Sequence, residues 1–412
     1  MTNRLRKGRI KLASSFILTV RLRRIILALI VAAGLILRLA GGLLVREKIV
    51  QGDSALYQNY AELITERRAL PSEFAHPPGY PLFLSAVKKL AGGAAPVVPT
   101  AQAFISAAAI LLVYLLAKKI FRVESAALFA AAIVAVDPFL VYFSAQVASE
   151  TLFCAFLYGS IYLLHEKLSS DDKPVSLALA AGVLAGAALL TRAAVSGFVA
   201  LIPVSLFFYG FSRKKAVALA VFFAIVAVMM YPWILRNQKV YGRFVPLTVQ
   251  AGWNMWEASC PAPYDAAAMA DWIQEMKTES EGMSPTETDD YFKRKFWSAA
   301  TASPSGFLKA GLMRFARFWR LYPYDPYPAG HKIISVLFFG PLLILAAAGI
   351  VLAALAGNRQ AALLYILAAS SAVGAFLFCP AVRYRLYLHP AMAIFAAYAV
   401  TVFLNKNKNA GA

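Results

Sequence analysis

One aspartate sets what chemistry this chain could do. Asp53 lies in the run Gly52-Asp53-Ser54-Ala55-Leu56-Tyr57, just past the first long apolar stretch. A carboxylate at a membrane surface can take a proton from an incoming hydroxyl or amine during group transfer. An Asp at a helix start also caps the first free N–H groups, so local sequence supports both a base and a cap. His76-Pro77-Pro78-Gly79-Tyr80-Pro81 follows, where two prolines bar a helix and force an extended turn. His76 is there as a titratable group or as a turn residue. Glu150, Arg192, Arg236, Arg383 and Arg385 stand at the ends of apolar runs. Charges at such depths are costly, which makes them functional candidates; the alternative is a set of anchors reaching for headgroups. Several arginines gathered beside a bilayer suit a phosphate, because the guanidinium matches its oxygens bidentately.

The elements that position these residues are membrane helices. The chain has 412 residues, 60% of them hydrophobic and only 15% charged. Soluble domains average about 45–50% apolar and about 25% charged. A disordered chain, a disulfide scaffold and an ordinary soluble enzyme are therefore excluded. A span needs about 20 mostly apolar residues. Ten candidates appear, near 25–45, 99–121, 125–144, 149–166, 175–191, 193–211, 215–233, 333–356, 360–379 and 388–404. The stretch 79–92 is short and carries Lys88 and Lys89, so it reads as a helix lying along the interface. The expected fold is all-α and polytopic, with about ten transmembrane helices and two large extracytoplasmic loops carrying juxtamembrane helices.

The net charge of +20, from 41 Lys and Arg against 21 Asp and Glu, fits this threading. No basic globular segment is present, so nucleic acid is not an expected partner. Basic residues in short loops mark the cytoplasmic side. The N-terminal segment 1–24 carries Arg4, Arg6, Lys7, Arg9 and Lys11; later inside loops carry Lys118, Lys119 and Arg122, then Lys167 and Lys173, then Arg213 to Lys215, then Arg359. The tail 405–412 ends inside with Lys406 and Lys408. Counting 79–92 as a span would throw Lys118, Lys119 and Arg122 outside. The expected organisation is a transmembrane module over 25–233 with an extracytoplasmic loop at 46–98. A large extracytoplasmic loop at 234–332 and three further spans over 333–404 complete it. The basic-then-apolar N-terminus resembles a signal peptide, but many spans follow, so it reads as a retained first helix.

The remaining features are less specific. Cys154, Cys260 and Cys379 make neither a framework nor a metal spacing, though a Cys260–Cys379 bridge is conceivable. Residues 289–321 read as two helices split at Ser303-Pro304, the second with Arg314, Arg317 and Arg320 in a row. That row suits an interfacial helix or a packed helix with a solvated face. Trp253 and Trp256 suit sugar stacking or an aromatic belt. Arg38 lies inside the first span, where it needs a polar partner or the outer interface; Asp137-Pro138, inside the third, has no reading from sequence.

Asp53, Tyr57 and His76-Pro77-Pro78-Gly79-Tyr80-Pro81 together resemble the membrane-embedded glycosyltransferases of GT-C fold. Within them the chain is similar to the protein O-mannosyltransferase-like group (glycosyltransferase family 39), which includes the lipid A aminoarabinose transferases. Ser149-Glu150, Thr191-Arg192, Pro232-Trp233-Ile234-Leu235-Arg236-Asn237, Gly252-Trp253-Asn254-Met255-Trp256 and Arg383-Tyr384 extend the likeness over most of the chain. The family often has Asp-Glu where this chain has Asp53-Ser54. The resemblance implies a polyprenyl-phosphate-sugar donor, a lipid, glycan or protein acceptor, and Asp53 as base. It implies donor or substrate contacts at Tyr57, His76, Tyr80, Arg192, Arg236, Arg383 and Tyr384, and a sugar or metal contact at Glu150. A single displacement would invert the anomeric centre. No cofactor is fixed, and a divalent metal ion stays open. The expected setting is the bacterial inner membrane. The other class is a transporter or lipid flippase, but those place sites at the midplane on broken helices and often carry repeats, which this sequence lacks.

Overall fold

The computed structural model describes residues 19–44, 53–67, 74, 76–90, 97–261, 265–322, 328–378 and 381–410. The basic residues up to Lys11, and Cys379 with its conceivable bridge, lie outside the described residues. Among the described residues the fold is all helix. In chain order the helices are α1 Val20–Leu44, α2 Asp53–Arg67, α3 Gly79–Leu90, α4 Val97–Phe121, α5 Glu124–Val136, α6 Pro138–Ala145, α7 Glu150–Ser169 and α8 Ser176–Thr191. Two short pieces follow, α9 Ser196–Leu201 and α10 Ser205–Tyr209, then α11 Arg213–Tyr241. A polar group comprises α12 Ala251–Glu257, α13 Ala266–Glu279, α14 Pro285–Ala302 and α15 Pro304–Phe318. The chain closes with α16 Ala329–Leu355, α17 Ala362–Leu377 and α18 His389–Ala410.

Among the described residues the apolar runs read from the sequence are largely helical, but the runs are not equal. Among the described residues six helices are long and apolar enough to cross a membrane, or seven if α5 and α6 count as one bent span. The other expected runs fall short of that measure by length, charge or a break. Helix α7 carries Glu150, His165, Glu166 and Lys167, α8 has only 16 residues, and Pro203 sits in the 3-10 turn that breaks α9 from α10. The short stretch after His76 is the 12-residue helix α3. Ser284 closes a capping box with Glu287 at the head of α14. Pro304 starts α15, as a proline at a first turn does.

The bundle packs α7 on α8, α8 on α11, α4 on α1, α5 and α7, and α18 on α16 and α5. Its core is aliphatic and aromatic, with Phe153, Tyr158, Phe222, Phe339 and Phe395 almost fully buried. The bend between α5 and α6 is 48°. Pro138 has no N–H for the Val134 carbonyl, and the Phe139 and Leu140 N–H groups turn to Asp137 Oδ1 at 2.9 and 3.1 Å. The orphaned carbonyls find another donor. Arg38, fully buried in α1, donates to the carbonyls of Val134 (3.0 Å) and Ala135 (2.9 Å), to its own-helix Gly34 carbonyl (2.9 Å) and to Ser106 Oγ (2.7 Å). Asp137 Oδ2 bonds His389 Nδ1 at 2.7 Å, and the His389 ring stacks on Phe339. The two in-span charges are thus the hardware of one bend.

Candidate active site

The bend has a consequence at its far end. Beyond α6 the chain leaves the helix at Gln146, which is extended, and turns at Ser149 into α7. Its carbonyls are fastened by side chains from other helices. Gln102 of α4 donates Nε2–H to the carbonyls of Ser144 (3.0 Å) and Gln146 (2.6 Å), and Ser54 of α2 donates to the Val147 carbonyl (2.9 Å). This brings the head of α2, where Asp53 sits, beside the head of α7, where Glu150 sits.

Helix α3 completes the wall. Gly79 opens it against the end of α8: a Cβ there would lie 2.7 Å from the Leu190 carbonyl and 2.9 Å from Thr191 Oγ1. Glycine is therefore required for this approach. It seats Tyr80, fully buried, whose hydroxyl donates to Gln102 Oε1 at 2.7 Å. The Tyr57 ring meets Tyr80 edge-on at 5.0 Å and His76 at 6.1 Å. Burial pushes the Tyr57 hydroxyl above its ordinary pKa despite the Arg192 charge and a hydrogen bond to Ser149. Burial likewise raises Tyr80 well above its usual value. Both phenols are protonated donors at neutral pH.

Four charged groups converge here from four parts of the chain. Arg383, in the 3-10 turn before α18, donates Nη2–H to Asp53 Oδ2 in an ion pair. Arg192, the C-cap of α8, donates Nη1–H to Glu150 Oε1 (2.8 Å) and to Ser149 Oγ (2.9 Å). The Tyr384 ring lies beneath both guanidinium groups, 5.2 Å from Arg383 and 5.7 Å from Arg192. The two pairs differ in access. The Asp53 and Arg383 side chains are each 37% exposed, whereas Glu150 is 5% and Arg192 14% exposed. The first pair faces solvent and the second holds the wall behind it.

The electrostatics follow. Burial pushes the Asp53 carboxyl up, but the Arg383 charge and hydrogen bond, helped by His76 and Arg192, outweigh it and hold Asp53 below the usual carboxylate range. Burial also depresses His76, against the pull of Asp53, so its imidazole is neutral at pH 7. His76 Nε2 lies 3.3 Å from the Gln250 side-chain nitrogen, which donates to the neutral ring. The site is a carboxylate, a neutral imidazole, buried phenols and two arginines. That set can accept a proton from one group and stabilise an anion beside it.

Of the residues expected from sequence, Asp53, Tyr57, His76, Tyr80, Glu150, Arg192, Arg383 and Tyr384 come together. Arg236 joins a neighbouring group. It donates to the Phe74 carbonyl (2.9 Å) and to Asn237 Oδ1 (2.9 Å) and lies over the Trp233 ring at 4.9 Å. Its place is behind the turn that carries His76. Arg385 is fully buried on the Phe318 carbonyl (2.7 Å) and over the Phe339 ring, tying α15 and α16 to the turn before α18. Among the described residues no three His, Cys, Asp or Glu side chains could hold one metal ion. Asp53 and Glu150 are each answered by an arginine, which does not fit a metal centre. Trp256 packs on Trp272 at 5.4 Å, with Lys295 4.7 Å from its ring. Gln102 and Gln250 were not singled out from sequence. Gln102 carried a usable signal, as a polar side chain inside the apolar run 99–121.

A family model described as dolichyl-phosphate-mannose-protein mannosyltransferase matches residues 75–235. This segment holds His76, Tyr80, Glu150 and Arg192 and ends at Leu235. No curated protein sequence matches significantly. Among solved structures, an archaeal oligosaccharyltransferase from Archaeoglobus fulgidus, in complex with an inhibitory peptide and a dolichol-phosphate, superposes with a TM-score of 0.58 at 16% identity. The match covers 93% of this chain and 50% of that one, so this chain spans about half the length of that enzyme. ArnT from Cupriavidus metallidurans, bound to undecaprenyl phosphate, matches at a TM-score of 0.47 and 14% identity over 91% of this chain and 77% of that one. The fold is that of the GT-C glycosyltransferases, as the sequence motifs implied.

Proposed function

We propose that this chain is an integral membrane glycosyltransferase that moves a hexosyl or pentosyl group from a polyprenyl-phosphate donor to a lipid, glycan or protein acceptor. The observation that carries the reading is the Asp53–Arg383 pair, partly open to solvent and backed by Arg192. A base and an anion site touch each other there. The oligosaccharyltransferase with the same fold was solved with dolichol-phosphate, and the matching family model describes a dolichyl-phosphate-mannose enzyme; both support a lipid-phosphate donor.

In this reading the donor phosphate competes with Asp53 for Arg383. Binding of the phosphate frees the carboxylate, which raises its basicity as the acceptor arrives. Asp53 takes the acceptor proton, the acceptor oxygen or nitrogen forms its bond to the anomeric carbon, and the bond to the lipid phosphate oxygen breaks. The leaving phosphate keeps its electron pair and remains on Arg383, with Arg192 adding charge behind it. One displacement inverts the anomeric centre. Tyr57 and Tyr80, held protonated by burial, donate to sugar or phosphate oxygens, and neutral His76 orients the sugar edge. Arg236 positions the His76 turn through the Phe74 carbonyl. Glu150 holds Arg192 and borders the sugar. No step uses a metal ion, and unchanged transfer after chelation is the expected result.

The basic inside loops support a bacterial inner-membrane enzyme with both termini in the cytoplasm. The active site, the 46–98 loop and the 234–332 loop are then extracytoplasmic. The test is sugar transfer in lipid vesicles from a polyprenyl-phosphate donor by wild type and Asp53→Asn. Full transfer by the variant would remove the assigned role.

A further inference from the structure

Helix α7 links two charged sites. Glu150 at its head belongs to the Asp53 group; His165 and Glu166 near its tail line a cavity of about 640 Å³. A rise of about 1.5 Å per residue separates Glu150 from Glu166 by roughly 24 Å, so the cavity is at the other end of the bundle. It is built from helix ends: Arg23 of α1, Lys118 and Lys119 at the tail of α4, Arg122 in the α4–α5 turn, and Lys173 after α7.

Its charges do not cancel. Glu124 takes both Arg23 (3.5 Å) and Lys118 (3.0 Å), and Glu166 takes both Lys119 (3.0 Å) and Lys173 (3.4 Å). Each carboxylate is thus shared by two cations. Arg122 is exposed, and among the described residues its guanidinium meets no hydrogen-bond or ion-pair partner. Five basic side chains against two acidic ones leave three positive charges around one cavity. Arg122 also has φ of +56°, the one positive φ outside glycine among the described residues. The left-handed region is unfavourable for an arginine, so the turn holds this side chain at the cavity at a conformational cost.

We propose that this cavity holds the phosphate of an anionic phospholipid headgroup. Arginine and lysine from helix ends recognise a phosphate by charge and by donated N–H groups. One wall of the cavity is Arg23, from the candidate membrane span α1. Arg23 rises from α1, and its neighbours Leu22, Ile25 and Leu29 are 42%, 46% and 64% exposed, an apolar bed for acyl chains. A soluble phosphate would have no use for that surface. The site shares no residue with the Asp53 group, and its occupancy braces the ends of α1, α4 and α7 from the side away from the proposed chemistry.

The test uses the full chain in detergent micelles, with phosphatidylglycerol titrated in against phosphatidylcholine and bound lipid counted by native mass spectrometry. Wild type should retain phosphatidylglycerol preferentially. Arg122→Asn should lose about fivefold in that retention, with thermal stability unchanged or raised, because asparagine tolerates positive φ. Lys173→Gln, in an exposed turn, should lose a similar factor and covers the case in which Arg122→Asn does not fold. Equal retention of the two lipids, or retention that neither substitution changes, overturns the proposal. Displacement of phosphatidylglycerol by inorganic phosphate alone overturns the lipid source and assigns the cavity to a soluble phosphate.

Discussion

Arg383 and Asp53 stand 330 residues apart in the chain and share one hydrogen-bonded ion pair at the exposed edge of the charged cluster. The pair sets the resting state of the proposed base. An arginine that holds the carboxylate ionised also makes it a weak base, so the proposed donor phosphate must draw Arg383 away. Substrate order follows: donor first, then acceptor.

That coupling makes Asp53→Asn diagnostic. The amide keeps the size and a hydrogen-bonding oxygen but cannot take a proton. Transfer should fall by about 10²- to 10⁴-fold, while donor binding is kept or tightened because Arg383 is released. Initial rates and donor-lipid binding on the same reconstituted protein separate the two effects. Weaker donor binding with unchanged turnover would place Asp53 in binding only.

Glu150 and Arg192 behave differently because they are buried. Arg192→Ala strands a carboxylate that is 5% exposed. Breaking one side of a buried pair costs about 3–5 kcal/mol. Replacing both, as Arg192→Met with Glu150→Gln, should recover most of the loss. Thermal unfolding of the two variants in detergent checks this; a double variant as unstable as the single would show that the pair is not the cause.

The pH profile follows from the directions of shift. Asp53 is depressed when folded, so its ion pair stabilises above its unfolded pKa of about 3.9 and is lost as pH falls through the lower folded value. His76 is also depressed, so it stays neutral through the physiological range. Transfer should show no acid limb near the ordinary histidine value of about 6.5. A limb there that disappears in His76→Gln would mean that the protonated imidazole inhibits or binds, and would overturn its neutral role.

Much of this was legible from residue types. The apolar runs gave the helices, Ser303-Pro304 gave a helix start, and Asp53, His76, Arg192 and Arg383 stood out as charges at helix ends. What brings them together was not legible. Gly79 reads only as a turn residue until α8 is seen at 2.7 Å from where its Cβ would be. Arg236 and Arg385 carry the same signal as Arg192 and Arg383, yet they point to backbone carbonyls. Sequence shows that a charge is at a given depth but not which partner is within reach. The shape of each span was only partly legible for the same reason. Length and hydropathy mark a run, while Asp137-Pro138 and Pro203 decide whether it stays straight.

The α5–α6 bend offers the sharpest test of that last point. Pro138 deprives the Val134 carbonyl of its donor, Asp137 takes the Phe139 and Leu140 N–H groups, and Arg38 serves the carbonyls left over. Arg38→Met keeps the apolar stem and removes the donors. A bilayer core supplies no water to replace them, so each lost bond should cost about 1–3 kcal/mol. Pro138→Ala restores the missing N–H and lets α5 run on toward α6. It should weaken the site, because the bend delivers the Val147 carbonyl to Ser54 and the Gln146 carbonyl to Gln102. In the Arg38→Met background, however, the same change gives the orphaned carbonyls their helical donors. The double variant should therefore be more stable than the sum of the single losses by about 1 kcal/mol or more. Unfolding midpoints of the four proteins complete the cycle. Simple additivity would mean that Arg38 is held for some purpose other than the carbonyls that Pro138 exposes.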